Sequence, residues 1–198
     1  MKRFRLTLAA ALPALLLAAC ASPGHDHKGM GDDKMGGAKD GEHMMMSMKG
    51  KVAVASLTPT QGNTARGLFV FHQMGDGQVM VHAHVSGLKP GAEHGVHIHE
   101  KGDCASPDGT SAGGHFNPDG KPHGPQTSAH HAGDMPALKA DANGVADVKF
   151  TLSGPTVTAG PTSVVDHAVI VHANPDDYAT QPTGNSGGRI ACGVIAGY

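Results

Sequence analysis

The most informative segment of the chain, residues 95–136, reads GVHIHEKGDCASPDGTSAGGHFNPDGKPHGPQTSAHHAGDMP. Its first five residues alternate with the period of two of a β-strand, so Val96 and Ile98 should enter a core while His97 and His99 leave the opposite face together. The remainder is rich in Gly and Pro, lacks apolar periodicity and is too long for an ordinary connection. We therefore expect a strand that carries two nitrogen ligands, followed by a loop that becomes ordered by binding a metal ion.

The chain supplies more ligands around this strand than one metal ion uses, which predicts two adjacent metal sites. An imidazole-only set suits copper, whereas three histidines with an aspartate suit tetrahedral zinc. Seven ligands for eight coordination positions indicate that one histidine is shared. His130 is an alternative to His131, which we prefer because it stands three residues before Asp134. The predicted ligands are His97, His99, His115, His123, His131, Asp134 and His172.

Other histidines fall outside this pattern, and the usual fate of a histidine in a polar segment is solvation. In QVMVHAHV, His82 and His84 share a strand face with Met80, which we interpret as a solvated face, with an auxiliary copper-binding or partner patch as the alternative. The histidines taken as surface or structural residues are His25, His27, His72, His82, His84, His94, His130 and His167.

The pattern from residue 51 onward is all-β. No segment has a helical period, and short strands alternate with turns of Gly, Pro, Asp and Asn. These strands predict a single sandwich or flattened barrel. Their sequences are KVAVASL, ARGLFVFHQ, QVMVHAHVSGL, HGVHIHE, GVADVKFTL, SVVDHAVIVHA and GRIACGVI.

The motifs resemble those of the copper/zinc superoxide dismutase family. They follow one another along residues 51–198 in the same order as in that family. The matching segments are GVHIHEKGDC, AGGHFNPDGKPHGP, HAGDMP, VIVHANPDD and TGNSGGRIACGVI. The resemblance implies an eight-stranded Greek-key β-barrel or sandwich with long metal-binding loops. It also implies one copper and one zinc ion per subunit.

The resemblance assigns a role to each matching position. Arg189 corresponds to the arginine beside the copper, and Asp176 to the carboxylate that joins a copper histidine to a zinc histidine. Cys104 and Cys192 occupy the family's disulfide positions. His115 would bridge the metals and, with Arg189, take part in catalysis. The implied copper ligands are His97, His99, His115 and His172, and the implied zinc ligands are His115, His123, His131 and Asp134.

The implied reaction is the conversion of superoxide to dioxygen and hydrogen peroxide by copper redox cycling. The segment 173–188 contains no Lys or Arg, so the charges that line the entrance in many relatives are missing, and Lys101 and Lys121 are the candidates for steering the anion. Two alternatives stay open: a copper-binding or delivery protein on a dismutase-like barrel, and a noncatalytic member of the fold.

The first 19 residues predict a signal peptide, because three basic residues precede an apolar run that is too short to span a bilayer stably. The run ends in Leu-Ala-Ala-Cys20, which resembles a bacterial lipobox and predicts lipidation of Cys20. We therefore expect a membrane-anchored protein of the bacterial cell envelope that faces the periplasm. Ordinary secretion with a free Cys20 is the alternative.

Residues 20–50 predict a flexible tether, since residues 21–50 contain no Val, Leu, Ile or aromatic residue to bury. Thioethers are soft ligands that suit Cu(I), so we interpret the tether as a candidate auxiliary copper site, with a solvated spacer as the alternative. The candidate ligands are His25, His27, His43, Met44, Met45, Met46 and Met48.

Charge gives limited information about partners. Without residues 1–19 the chain has 12 basic and 17 acidic residues, a net charge of −5 with neutral histidines. This balance favours no nucleic-acid partner. Superoxide and a membrane are the expected partners, and the sequence leaves open whether the protein is a monomer or a homodimer.

Overall fold

The structure is a computed structural model that describes residues 51–198. Within this range it contains nine β-strands and a single 3₁₀ turn at Thr110–Ala112. The strands are β1 (Val52–Pro59), β2 (Arg66–Gln73), β3 (Val79–Ser86), β4 (Glu93–His94), β5 (Val96–His99), β6 (Leu138–Lys139), β7 (Ala146–Leu152), β8 (Ala168–His172) and β9 (Arg189–Gly197).

Strict alternation of side chains forms the meander β1–β2–β3. On β3 the apolar residues Val79, Val81, Ala83 and Val85 are buried, whereas the residues between them stay partly or fully exposed. Phe69 and Phe71 of β2 enter the same core from the neighbouring strand. Full burial of each such side chain contributes about 1.5–3 kcal/mol relative to exposure, so this pattern fixes which face of the sheet is the core.

Seven strands form one antiparallel sheet in the order β5-β8-β9-β1-β2-β3-β7, and β4 pairs with β6 in a second, two-stranded sheet. Val96 of β5 and Leu152 of β7 belong to one core cluster although their strands are opposite edges of the large sheet. The sheet therefore curls around one main core, and a smaller apolar cluster lies beside the disulfide. The predicted all-β barrel is confirmed, and the two-residue strands β4 and β6 are elements that no periodicity could reveal.

The strands β5, β8 and β9 carry the histidines. Every residue of β5 and β8 is buried, because one face packs in the core and the other lies under the long loops. His172 pairs with Arg189 across β8 and β9, just after a register shift between Val171 and His172. Such an irregularity redirects a side chain, and here it occurs at a predicted ligand.

Within residues 51–198, no helix is long and apolar enough to cross a bilayer.

A disulfide joins Cys104 in the loop after β5 to Cys192 in β9, with the two Cα atoms 5.8 Å apart. The bond spans 88 residues and packs beside Ala112, Ala168 and Ile170. It therefore attaches the loop that carries the 3₁₀ turn to the sheet.

Replacing both Cys104 and Cys192 by Ser should lower the melting temperature by about 10 °C. In the chain-entropy model, closing a loop of this length stabilises the fold by on the order of 4 kcal/mol. For a domain of this size, a loss of that order corresponds to a fall in melting temperature of about 10 °C. Calorimetry of the variant and of the reduced wild-type protein should give similar values. Finding both cysteines as free thiols in protein purified without reductant would contradict the expected role of the bond.

Candidate metal centre

Four buried imidazoles meet at the end of β5 and β8. The ring centroid of His97 lies 3.9 Å from that of His115 and 4.9 Å from that of His172, and His99 lies 5.1 Å from His115. Each ring has one buried nitrogen without a hydrogen-bond partner in the described chain: Nδ1 of His97 and Nε2 of His99, His115 and His172. One nitrogen from each residue falls in a group whose members all lie within 4.8 Å of one another. Four converging imidazole nitrogens form a donor set that suits copper.

The second nitrogen of three of these rings is held by an acceptor. His97 Nε2 donates to Asp176 Oδ2 (2.6 Å), His99 Nδ1 to the Gly113 carbonyl (2.9 Å) and His172 Nδ1 to the Gly187 carbonyl (3.1 Å). Such hydrogen bonds fix the ring orientation and leave the opposite nitrogen free to accept a cation. The structure thus prepares all three rings for metal binding through the unpartnered nitrogen.

A second donor set surrounds the Asp134 carboxylate. Its Oδ1 atom lies 3.0 Å from His115 Nδ1, 2.9 Å from His123 Nδ1 and 3.3 Å from His131 Nδ1. Its Oδ2 atom accepts the backbone N–H groups of Gly124 (3.1 Å) and His131 (3.0 Å), which orients Oδ1 toward the rings. Three imidazole nitrogens and one carboxylate oxygen are the donors of a tetrahedral zinc site.

Around Asp134, the potential ligand atoms of His97, His115, His123 and Asp134 all lie within 4.8 Å of one another. We favour His131 in place of His97, because His97 Nε2 is committed to Asp176 while its Nδ1 faces the four-imidazole set. His115 belongs to both sets, with Nδ1 toward Asp134 and Nε2 toward the other imidazoles. The neighbouring His130 binds the Ser128 carbonyl instead.

Asp176 connects the two sets. Its Oδ2 accepts from His97 Nε2, and its Oδ1 accepts from His123 Nε2 (2.9 Å). Gly184 lies over this pair at a φ of +64°, and a Cβ added there would come within 2.6 Å of His123 Nε2. The position requires glycine both for its backbone conformation and for the close approach.

Burial and hydrogen bonding set the protonation of the centre. Burial lowers the pKa of His97 to about 4 and that of His172 to about 3, so both rings are neutral ligands at pH 7. For His123 burial acts in the same direction, but the hydrogen bonds to Asp134 and Asp176 prevail and raise its pKa to about 9. A cation bound at His123 Nδ1 would therefore take the place of a proton. Despite their burial, hydrogen bonds from histidines keep the pKa of Asp134 and of Asp176 well below the usual value.

Arg189 lies beside the four-imidazole set and is held by backbone. Its Nη1 donates to the Gly109 carbonyl (2.7 Å) and its Nη2 to the Gly113 carbonyl (2.6 Å). The Gly113 carbonyl also accepts from His99, so the guanidinium and a predicted copper ligand share one anchor. Burial lowers the pKa of Arg189, yet a guanidinium remains a cation at every physiological pH.

The proposed steering lysines are both on the surface. Lys121 forms an ion pair with Asp119 at 2.9 Å, which offsets its charge, and Lys101 is exposed. Neither contributes an ion pair to the metal centre in the described chain. Among the basic residues of 51–198, Arg189 is the cation that acts electrostatically on His99 and His172.

Sequence reasoning missed two supports of the centre. The side-chain amide of Gln181 accepts from the His123 N–H (2.8 Å) and donates to the His123 carbonyl (2.9 Å). His94, assigned only as a surface or structural histidine, is buried and donates from Nδ1 to the His172 carbonyl (2.8 Å). Both contacts are to backbone across long sequence separations, so no local pattern indicates them.

The predicted sites of the leader and tether lie outside the described residues. They are Cys20, His25, His27, His43, Met44, Met45, Met46 and Met48.

Comparison with known proteins agrees with this geometry. The profile of copper/zinc superoxide dismutases matches residues 65–195, and the chain belongs to that family. Superoxide dismutase (Cu-Zn) 2 of Brassica juncea is 43% identical over 150 residues, which cover 72% of this chain and 95% of that protein.

Two further similarities are to a bacterial relative and to a solved structure. Superoxide dismutase-like protein YojM of Bacillus subtilis (strain 168) is 41% identical over 138 residues, which cover 67% of this chain and 70% of the relative. A crystal structure of a superoxide dismutase-like protein from Bacillus subtilis is 39% identical with a TM-score of 0.65, covering 71% of this chain and 95% of that one. Family membership implies copper and zinc binding, and the two donor sets fit these metals.

Proposed function

We propose that this protein is a superoxide dismutase that converts two superoxide anions and two protons into dioxygen and hydrogen peroxide. The observation that carries the proposal is the set of four buried imidazole nitrogens without hydrogen-bond partners in the described chain, beside a fixed guanidinium. Copper held by His97, His99, His115 and His172 would supply one-electron redox chemistry, and zinc held by His115, His123, His131 and Asp134 would act without redox change.

The side chains of this chain have distinct tasks in that reaction. Arg189 attracts the superoxide anion and orients it, because its fixed charge needs no reorganisation when the anion arrives. His115 Nε2 is a buried atom that can hold a proton, while His115 Nδ1 stays directed at Asp134. Asp176 keeps His97 and His123 in position throughout.

Superoxide turnover by the purified protein tests this function. Protein loaded with copper and zinc should contain one ion of each per chain and should remove superoxide, whereas zinc-only and metal-free protein should be inactive. Turnover is measured by pulse radiolysis, and metal content by elemental analysis. A fully loaded protein without turnover would contradict the proposal.

Copper binding or delivery on a dismutase-like barrel is the second candidate function. It is favoured by the abundance of Met and His between residues 25 and 48, because thioether and imidazole groups are ligands that suit Cu(I). The presence of Arg189 beside an intact pair of donor sets supports catalysis instead. Transfer of copper to an acceptor protein by a chain that lacks turnover would support the second function.

We further propose that residues 1–19 are a signal peptide and that a lipid on Cys20 anchors the chain to a membrane of the bacterial envelope. In this proposal, residues 20–50 capture copper for the domain of residues 51–198. The support is the Leu-Ala-Ala-Cys20 motif and the abundance of Met and His between residues 25 and 48. Enzymatic removal of superoxide would then protect the envelope from oxidative damage.

Deleting residues 26–48 should reduce copper occupancy in copper-limited medium and leave occupancy unchanged in copper-rich medium. Tethered weak ligands raise the local copper concentration near a stronger site, so their benefit disappears when copper is abundant. Activity per bound copper should not change. Equal occupancy of the two proteins at every copper level would mean that the segment is only a spacer.

A further inference from the structure

A second histidine cluster lies on the outer face of the barrel. His82 and His84 project from the solvent side of β3, between core residues that point the other way. Asp147 of the adjacent strand β7 is in register with His84. The side chains of His82, His84 and Asp147 are 39%, 57% and 58% exposed, so an ion from solution can reach them.

The Asp147 carboxylate is shared by the two imidazoles. Its Oδ1 lies 2.9 Å from His82 Nε2, and its Oδ2 lies 3.1 Å from His84 Nδ1. Two donors on one tetrahedral zinc ion, each about 2.0–2.1 Å from the metal, are separated by roughly 3.3 Å. Each imidazole therefore has a nitrogen near the carboxylate at close to this spacing. One ligand atom from each of the three residues does not yet fall within 4.8 Å of the other two, so the exposed side chains must rotate to close on an ion.

The surroundings leave the carboxylate available. Lys149 is opposite His82 in the β3–β7 register, yet no Lys or Arg of residues 51–198 lies within 4.0 Å of Asp147. Hydrogen bonds, first from His82 and then from His84, lower the pKa of Asp147, so the carboxylate is ionised at neutral pH. A divalent cation bound by the two imidazoles and the carboxylate would compensate the negative charge of Asp147.

We propose that His82, His84 and Asp147 form a third metal site, which binds a divalent ion of the imidazole-preferring class, Zn(II) or Cu(II). Water completes the coordination, since the described chain provides three ligand side chains on an open surface. The open position makes the ion exchangeable and the affinity lower than that of the buried centre. The site does not depend on superoxide turnover.

Zinc titration of protein whose buried centre is already loaded tests the proposal. We expect the ring resonances of His82 and His84, followed by NMR, to shift and to saturate at one additional Zn(II) per chain. The double variant His82→Gln/His84→Gln should bind this ion at least tenfold more weakly, and Asp147→Asn should also weaken it. His72→Gln is the matched control, because His72 lies on the neighbouring strand and pairs with Met80 rather than with the cluster.

The control should titrate like the wild-type protein, and the buried centre should keep its copper and zinc in every variant, which reports correct folding. Histidines outside residues 51–198 are common to all the proteins, so the difference between wild type and variant isolates the surface site. Equal affinity of the wild type and the double variant for the additional ion, with unshifted His82 and His84 resonances, would overturn the proposal. That result would leave the proposed dismutase function untouched.

Discussion

Replacing Arg189 by Glu should lower superoxide turnover by on the order of 100-fold while the copper content stays the same. The change substitutes repulsion for attraction at the fixed charge beside the imidazoles, and the loss of one such preorganised group typically costs 10²–10³-fold. Copper should remain because Arg189 contacts the Gly109 and Gly113 carbonyls rather than a ligand nitrogen.

The matched control is Arg66→Glu, which makes the same charge change at the exposed first residue of β2, where the Arg66 side chain donates to the Thr64 carbonyl. Turnover should be measured over a range of ionic strengths. Salt screens the attraction between a cation and an anion, so turnover of the wild-type protein should decrease as the salt concentration rises. Turnover of the Arg189→Glu variant should not show this decrease. Unchanged turnover of the Arg189→Glu variant would remove the guanidinium from the mechanism.

The conservative variant Arg189→Lys separates charge from geometry. Lysine keeps the positive charge but lacks the planar fork that reaches the carbonyls of Gly109 and Gly113 together. We expect turnover between those of the wild type and of the Glu variant. Recovery to the wild-type level would mean that charge alone matters, whereas activity as low as that of the Glu variant would assign the effect to the backbone contacts.

The barrel and the clustering of ligands could be predicted because their causes are local. Alternation places Val96 and Ile98 in the core and turns His97 and His99 away from it, and the structure has this arrangement. Several histidines and an aspartate at these spacings in one Gly- and Pro-rich loop are seldom explained by anything other than metal binding. The loop histidines can therefore be identified as ligands from the sequence. The family resemblance added the pairing of Cys104 with Cys192, which is present in the structure.

The supports of the centre were not predictable, because they depend on contacts between distant segments. Gln181 holds the backbone of His123 from 58 residues away, and His94 binds the carbonyl of His172 from 78 residues away. Neither residue differs in its local sequence from an ordinary loop or strand residue. The carboxylate of Asp147 is likewise beside His82 and His84 only because β3 pairs with β7. Long-range register, rather than composition, decides these contacts.

Replacing Asp176 by Asn should weaken the binding of both metals by roughly 10–100-fold. The effect is indirect, because Asp176 contacts ring nitrogens that face away from the metal sites rather than the ligand nitrogens. The carboxylate accepts from His97 with one oxygen and from His123 with the other. An amide of the same shape has one acceptor oxygen and one NH₂ donor, so one imidazole N–H would face another donor. That ring would lose its fixed orientation, and both rings would lose a neighbouring negative charge.

Asp177→Asn is the matched control, because Asp177 is adjacent and exposed and accepts from Thr180 and Ala179 rather than from a histidine. Competition with chelators of known affinity should show weaker copper and zinc binding in the Asp176 variant and wild-type binding in the Asp177 variant. Loss of only one metal would mean that the two sets are independent. Wild-type affinity for both metals would show that Asp176 does not position the rings. A joint loss is expected, because one buried carboxylate holds one ring of each set, so the two metal sites share a single positioning residue.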